Sequence, residues 1–122
     1  MNNLTVDQIF EVHQSIMERS DGDQRLLSEA NLHQMVFRVN GIHDPLRKAA
    51  TAVFLLVAYP PFLDGNKRTA KEILEIILAQ NGYNLLYDDD SIRNLIQGVV
   101  TFTVEEDDIE RWLLNRTRKV NC

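Results

Sequence analysis

The chain has 122 residues, enough for one domain with a single hydrophobic core but not for two. Its 44% hydrophobic and 25% charged residues are ordinary for a folded, soluble protein and exclude wholesale disorder. A formal net charge of −5, with no face rich in Lys and Arg, argues against a domain whose main task is to bind nucleic acid. We therefore treat residues 1–122 as one domain.

Two helices are predicted in the first third of the chain. Thr5 with Gln8 has the pattern of a capping box, and Ser20–Asp23 ends the helix that follows. Ser28 caps a second helix, which Gly41 ends. Apolar residues recur at helical spacing in both: Ile9, Val12, Ile16, Met17, Leu32, Met35, Val36 and Val39.

The third predicted helix has the composition of a buried element. Asp44 followed by Pro45 is a strong start signal, and the helix runs from Leu46 to about Tyr59. It is apolar almost all round, which is typical of a helix in the core. Pro60 and Pro61 end it, because proline donates no helical hydrogen bond and disfavours helix in the residue before it.

The second half of the chain continues in the same pattern. A helix is predicted from Asn66 to Gln80, closed by Gly82, and Tyr83 to Tyr87 has the character of an extended segment.

Two more helices complete the prediction. Asp88–Asp90 is an acidic start for a helix through about Val100. Thr103 with Glu106 predicts a capping box for the last helix, in which Trp112 has core spacing. The fold class is therefore all-α, with about six helices around a buried central one.

Cysteine usage and the N-terminus favour a cytoplasmic protein. The single cysteine, Cys122, allows no internal disulfide, and no Cys/His cluster has the spacing of a zinc site. The first residues lack the order of a signal peptide, and no apolar run is long enough to span a bilayer. We expect no membrane association.

The loop before the fourth helix carries the most chemical information. Asp64, Gly65, Asn66, Lys67 and Arg68 place a carboxylate, a glycine, an amide and two cations at a helix N-terminus. Unpaired N–H groups and the helix dipole favour an anion there, Arg68 suits bidentate phosphate binding, and Asp64 suits Mg²⁺. The alternative is an ordinary helix start with solvated cations, since each of these elements recurs in ordinary helices.

The same loop resembles a family signature. Pro-Phe-Leu-Asp-Gly-Asn-Lys-Arg-Thr, between two apolar helices, is similar to the Fic/Doc motif His-x-Phe-x-(Asp/Glu)-(Gly/Ala)-Asn-x-Arg. The matching residues are Phe62, Asp64, Gly65, Asn66 and Arg68. The Asn-Lys-Arg-Thr-Ala run and the short helical chain most resemble the Doc (death-on-curing) branch, whose domain would cover nearly the whole sequence.

The resemblance implies a domain that binds ATP with Mg²⁺ and modifies a hydroxyl of a target protein, by transfer of AMP or of phosphate. By position, Asp64 would hold Mg²⁺, Gly65, Asn66 and Lys67 would form an anion hole, and Arg68 would bind a phosphate. Phe62 would anchor the loop in the core, a structural role.

Two positions depart from the pattern. Pro60 stands where the family has the His that accepts the proton of the attacking hydroxyl, and a lost general base typically costs about 10²- to 10⁴-fold in rate. Lys71 stands where the Fic pattern ends with another Arg, three residues past the first, and this mildly favours phosphate transfer or simple binding over AMP transfer.

Four other residues are candidates for the missing general base. His43, in the turn before the central helix, is the leading candidate, although a solvated role is the more common one for such a His. His13 and His33 are expected to have surface or packing roles, and Tyr59 a packing role, because the ordinary pKa of a tyrosine is about 10.

Three hypotheses follow. The first is a Doc-like toxin component of a toxin–antitoxin system, catalytically impaired and restrained by an antitoxin-like chain that supplies an inhibitory helix. Thr101 with Glu105 is the nearest internal match to such a helix and is not convincing, because Glu106 follows. The second is a non-catalytic module that binds a partner helix, and the third is a working transferase that uses His43.

Overall fold

The computed structural model describes residues 3–120, so that Met1, Asn2, Asn121 and Cys122 lie outside the described residues. It contains six helices, as predicted, together with two short strands. Their bounds are α1 (Val6–Ser20), α2 (Glu29–Asn40), α3 (Pro45–Ala58), α4 (Asn66–Gln80), β1 (Tyr83–Leu85), α5 (Asp89–Val100), α6 (Glu106–Arg116) and β2 (Thr117–Lys119).

Local capping chemistry starts most of the helices. Thr5 and Gln8 form the predicted capping box of α1. Ser28 Oγ accepts the Asn31 N–H at 3.1 Å, and Asp88 Oδ1 accepts the Ser91 N–H at 2.7 Å. Each bond satisfies an N–H that the first turn of a helix leaves unpaired.

The predicted capping box of α6 is wrong. Thr103 belongs to the turn that ends α5, where its N–H donates to the Gly98 carbonyl at 2.9 Å and its hydroxyl donates to the same oxygen at 3.2 Å. The box is instead formed by Glu105 and Asp108, whose carboxylate accepts the Glu105 N–H at 2.9 Å. Thr103 does not cap α6 because it lies two residues before Glu105, the N-cap residue of that helix.

The core is built around α3, as its composition predicted. This helix packs against α2, α4, α5 and α6. Its small residues Ala49, Ala50 and Ala52 are fully buried, which lets the neighbouring helices approach closely. The core around it includes Ile9, Leu32, Leu56, Phe62, Ile73, Leu74, Ile92, Ile96, Ile109 and Leu113.

The two strands join the end of α4 to the end of α6. β1 confirms the predicted extended segment after Gly82, and it pairs antiparallel with β2, in the register Tyr83 to Lys119 and Leu85 to Thr117. Trp112 is partly buried against the core, with the guanidinium of Arg116 4.7 Å from its ring centroid. Within residues 3–120, no helix combines the length and hydropathy needed to cross a bilayer.

Candidate functional site

The loop between α3 and α4 is held by the connection between α1 and α2. The Pro61 carbonyl accepts the N–H groups of Leu27 and Ser28, at 2.7 and 2.9 Å. The Leu63 N–H donates to the Arg25 carbonyl at 3.1 Å, so that residues 25–28 run antiparallel beside the loop. The loop backbone is therefore braced by a segment that is distant in sequence.

Phe62 and Asn66 close the loop from within. Phe62, 1% exposed, anchors the loop in the core as predicted. Asn66 Oδ1 accepts the Phe62 N–H at 3.1 Å, and Asn66 Nδ2 donates to the Phe62 carbonyl at 2.8 Å. Because both ends of its amide are used, Asn66 would offer a ligand its backbone N–H, not its side chain.

The start of α4 has the features of an anion site. Gly65, the N-cap residue, has φ 81° and ψ 9°, a left-handed conformation that glycine adopts without strain. No side chain caps this helix among the described residues, and its first turn carries Lys67 and Arg68 in place of acids. The N–H groups of the first turn and the positive end of the dipole are thus left to attract an anion.

These groups line a cavity of about 450 Å³. Among the described residues, its wall contains one carboxylate, Asp64, and two cations, Lys67 and Arg68. Arg68 also lines two neighbouring cavities, and the larger of them, about 660 Å³, lies between α4 and α5. The remaining residues of the first wall are Met17, Ser20, Val57, Pro60, Leu63, Gly65, Asn66 and Val100.

Asp64 could supply the protein ligand of a Mg²⁺ site whose other ligands are water and substrate oxygens. Its Oδ1 accepts the Gly65 N–H at 2.8 Å, which holds the carboxylate beside the helix start. Residues 3–120 contain no cluster of three or more His, Cys, Asp or Glu side chains that could enclose a metal. A single carboxylate fits Mg²⁺ that completes its octahedron with water and substrate phosphate oxygens, and it does not fit an all-protein metal cage.

The cations at this end of α4 differ in their surroundings. Lys67 Nζ donates to Gln97 Oε1 at 3.2 Å. Lys71 is not in the wall of the loop cavity, and its Nζ pairs with Glu75 Oε1 at 3.2 Å. Partial burial disfavours the charge of Lys71, but the hydrogen bonds and charges of Glu75 and Tyr87 together outweigh it, so the pKa of Lys71 lies above its ordinary value.

Pro60 lines the cavity but brings no titratable group to it. The alternative in which His43 approaches the loop as the base is wrong, and the solvated role is confirmed. His43 is exposed just before α3, whereas the loop follows the other end of that 14-residue helix, about 21 Å away at 1.5 Å per residue. His33 is exposed on α2, where its Nε2 lies 3.3 Å from Glu29 Oε1. Tyr59 packs edge-on against Phe54.

His13 has the expected packing role, but its partner is the loop itself. It is 2% exposed, and its ring stacks on Phe62 with centroids 3.6 Å apart and an interplanar angle of 7°. Its Nε2 lies 2.8 Å from the Asp64 carbonyl oxygen. Its place on the apolar face of α1, with Ile9 and Met17, was the sequence signal of burial, but nothing local indicated the contact with the loop.

Comparison with known proteins gives a family match and two curated relatives. The sequence profile of the Fic/DOC family matches residues 3–78, more than half of the chain. The protein named Protein adenylyltransferase fic-1 from Caenorhabditis briggsae is 28% identical over 104 residues, covering 67% of this chain and 20% of the relative. Its namesake from Caenorhabditis elegans is 45% identical over 40 residues, covering 33% of this chain and 8% of the relative. The chain thus spans a fifth or less of either relative.

Proposed function

The chain belongs to the Fic/DOC family, and we propose that it binds ATP together with Mg²⁺ at the loop that precedes α4. The observation that carries the proposal is the start of this helix, which has a left-handed glycine, no capping side chain among the described residues, and two cations facing a cavity. A triphosphate supplies the negative charge that this arrangement lacks.

The proposed roles follow from position. The backbone N–H groups of Asn66 and Lys67 surround one phosphate, joined by that of Gly65 when the phosphate replaces Asp64 Oδ1 as its acceptor. The exposed guanidinium of Arg68 binds another phosphate through two parallel bonds. Asp64 would hold Mg²⁺, which would neutralise part of the negative charge of the phosphates.

Lys71 is the most remote member of the proposed ATP-binding set. Its ammonium is already paired with Glu75, and it lines the cavities next to the loop cavity. We propose that it acts on the nucleotide through long-range attraction. We also propose that the domain extends past the matched residues 3–78 across the whole of 1–122, because Ile92, Ile109 and Leu113 belong to the same core.

We propose that transfer from ATP to a protein hydroxyl is slow in this chain. Pro60 occupies the place where the family motif has its general-base His, and none of the chain's three histidines, all within the described residues, lines the loop cavity. The missing proton acceptor costs about 10²- to 10⁴-fold in rate. Binding needs only the anion site and is retained.

The biological role that we propose is that of a cytoplasmic, Doc-like toxin component with impaired catalysis. Its restraint would come from an antitoxin-like chain that places an inhibitory helix by the loop. The resemblance of the Asn-Lys-Arg-Thr-Ala run to the Doc branch supports this role. Both relatives are named adenylyltransferases, which favours AMP as the group transferred, whereas Lys71 favours phosphate.

A second candidate is a module that binds a partner helix without catalysis. Exposed apolar side chains support it, since Leu27, Tyr59 and Leu63 all lie on or beside the loop. Under this proposal the fold is retained for its surface, and nucleotide binding is dispensable.

Calorimetric titration with ATP and Mg²⁺ separates the two candidates. We expect binding by the unmodified chain and a loss of about tenfold or more in affinity for Arg68→Met, because a charge-assisted hydrogen bond is worth about 1.5–3 kcal/mol. Arg93→Met is the matched control, an exposed arginine on α5 that lines the neighbouring cavity only. A folded chain that binds no ATP at millimolar concentration would contradict the nucleotide proposal.

Substitution Pro60→His tests the account of catalysis. The variant is incubated in cell extract with ATP labelled at the α-phosphate or at the γ-phosphate, which distinguishes AMP transfer from phosphate transfer. We expect labelling to rise about 10²- to 10⁴-fold over the unmodified chain. Equal labelling by both chains would mean that Pro60 is not a defect.

A further inference from the structure

His13 contacts the loop in two ways. Its ring lies flat on the ring of Phe62, and its Nε2 lies 2.8 Å from the Asp64 carbonyl oxygen. A carbonyl oxygen only accepts hydrogen bonds, so Nε2 carries the proton and donates it. The side chain comes from the middle of α1 and is almost completely buried.

The hydrogen bond determines the direction of a neighbouring N–H. The Asp64 carbonyl and the Gly65 N–H belong to one planar trans peptide unit and point in opposite directions. With the carbonyl directed at His13 in the interior, the Gly65 N–H points away from His13, to where Asp64 Oδ1 accepts it. This N–H is the first of the donors at the start of α4, and a bound phosphate would replace Asp64 Oδ1 as its acceptor.

The orientation of the Asp64–Gly65 peptide must be fixed by a contact because Gly65 is flexible. A glycine adopts positive and negative φ with similar ease, so the peptide before it can rotate in a loop that is not otherwise held. The observed φ of 81° is one of several states open to this residue. Met17 packs closely against Gly65, with its Sδ 3.1 Å from the position that a Cβ would occupy, and so limits translation of the loop.

We infer that His13 is a positioning residue that holds the Asp64–Gly65 peptide in the orientation that the anion site requires. His13 does not line the loop cavity and takes no part in chemistry. Its effect on ATP binding rests on the function proposed above, whereas its effect on the orientation of the peptide does not.

Two substitutions separate the stacked ring from the hydrogen bond. His13→Phe keeps an aromatic ring against Phe62 but has no donor for the Asp64 carbonyl. His13→Gln loses the ring but carries an amide N–H donor at a distance from the backbone similar to that of Nε2. Phe10→Leu is the matched control, because Phe10 also lies on α1 and contacts the Phe62 ring edge-on, with centroids 5.8 Å apart.

The affinity for ATP with Mg²⁺ and the thermal midpoint are measured for all variants. We expect His13→Phe to bind about tenfold more weakly and His13→Gln to recover most of that loss, with Phe10→Leu close to the unmodified chain. If affinity instead follows the thermal midpoint across the variants, with no recovery in His13→Gln, His13 is a packing residue only and the inference fails.

A measurement without nucleotide keeps the inference independent of the proposed function. The chain has 5 glycines, so the Gly65 amide, once assigned, is readily followed among few glycine resonances in a ¹H–¹⁵N spectrum. We expect this resonance to move in His13→Phe and to return towards its original position in His13→Gln. An unchanged Gly65 resonance in His13→Phe overturns the inference, even if the unmodified chain binds ATP. Failure of the unmodified chain to bind ATP, with the Gly65 shift as expected, overturns only the proposed function.

Discussion

Helices α4 and α6 begin in opposite ways. The start of α6 has a capping box formed by Glu105 and Asp108, and its first turn contains three acidic residues. Within residues 3–120, no side chain caps the start of α4, and its first turn has the cations Lys67 and Arg68 in place of acids. Acids stabilise the positive end of a helix dipole and cations destabilise it, so α6 is arranged for stability and α4 for an external anion.

The acids of α6 also connect it to the central helix. Arg47, near the start of α3, contacts Glu106 at 2.6 Å, Asp107 at 2.6 Å and Glu110 at 3.0 Å. The hydrogen bond with Asp107 is the main reason that the pKa of Arg47 lies above its ordinary value. The acids at this end of α6 thus form ion pairs within the fold, whereas the cations at the start of α4 face a cavity.

Gly65→Ala should disrupt the start of α4 more than any other substitution considered below. The residue has a φ of 81°, and a Cβ would overlap the Met17 side chain, so we expect a loss of about 3 kcal/mol in unfolding free energy and loss of ATP binding. Urea unfolding measures the first effect and calorimetry the second. Gly41→Ala is the control, because Gly41 has a φ of −81° and its Cβ would lie 3.5 Å from its nearest neighbour. Equal losses in the two variants would contradict the argument from backbone conformation.

The sequence predicts the features that depend on neighbouring residues, above all the starts of the helices. The starts of α1, α2 and α3 depend on residues within three positions of each other, so Thr5, Ser28 and Asp44 were readable. The predicted cap of α6 is wrong because Thr103 belongs to the turn that ends α5, and the N-cap residue, Glu105, lies two positions later.

The remaining features depend on contacts between distant residues. β2 exists because it pairs with β1, more than thirty positions earlier. His13 meets the carbonyl of Asp64 across a separation of 51 residues, which no local pattern encodes. The loop was recognisable from its five matching positions, but its bracing by Arg25 to Ser28 became visible only in the folded chain.

Asn66→Ala should have the next largest effect. The substitution removes both hydrogen bonds to the Phe62 backbone, and leaving these partly buried groups unpaired costs about 2 kcal/mol. We expect weaker ATP binding as well, because the loop that presents the N–H groups is no longer closed. Asn94→Ala, at an exposed position of α5, is the control in the same urea titration. If the two variants unfold at the same urea concentration, the Asn66 amide does not close the loop.

Lys67→Glu would make the start of α4 resemble that of α6. An acid in place of a cation in the first turn should raise the unfolding free energy by about 0.5 kcal/mol, even though the exposed bond to Gln97 is lost. The same change should reduce ATP affinity at least tenfold, because it places a negative charge where phosphate would bind. A more stable variant with weaker binding would show that α4 gives up stability for its ligand. Lys67→Gln should fall between the two chains in both measurements, and a variant that gains stability without losing affinity would refute the assignment of the anion site.

Asp108→Asn should have the smallest effect, which should be present at neutral pH and disappear in acid. The pKa of Asp108 is lowered chiefly by the Glu105 N–H that its carboxylate accepts, with a smaller contribution from Arg111. A carboxyl whose pKa is lower in the folded chain stabilises the fold above its unfolded pKa, near 3.9, and loses that contribution as pH falls through the folded pKa. The variant should therefore be less stable to urea than the unmodified chain at pH 7, and the two should have similar stability at pH 2. Its urea midpoint should decline less between pH 4 and pH 2. Because the backbone bond is the larger cause, Arg111→Met should keep most of the decline. If Arg111→Met abolishes it instead, the charge of Arg111, not the capping box, is what stabilises the start of α6.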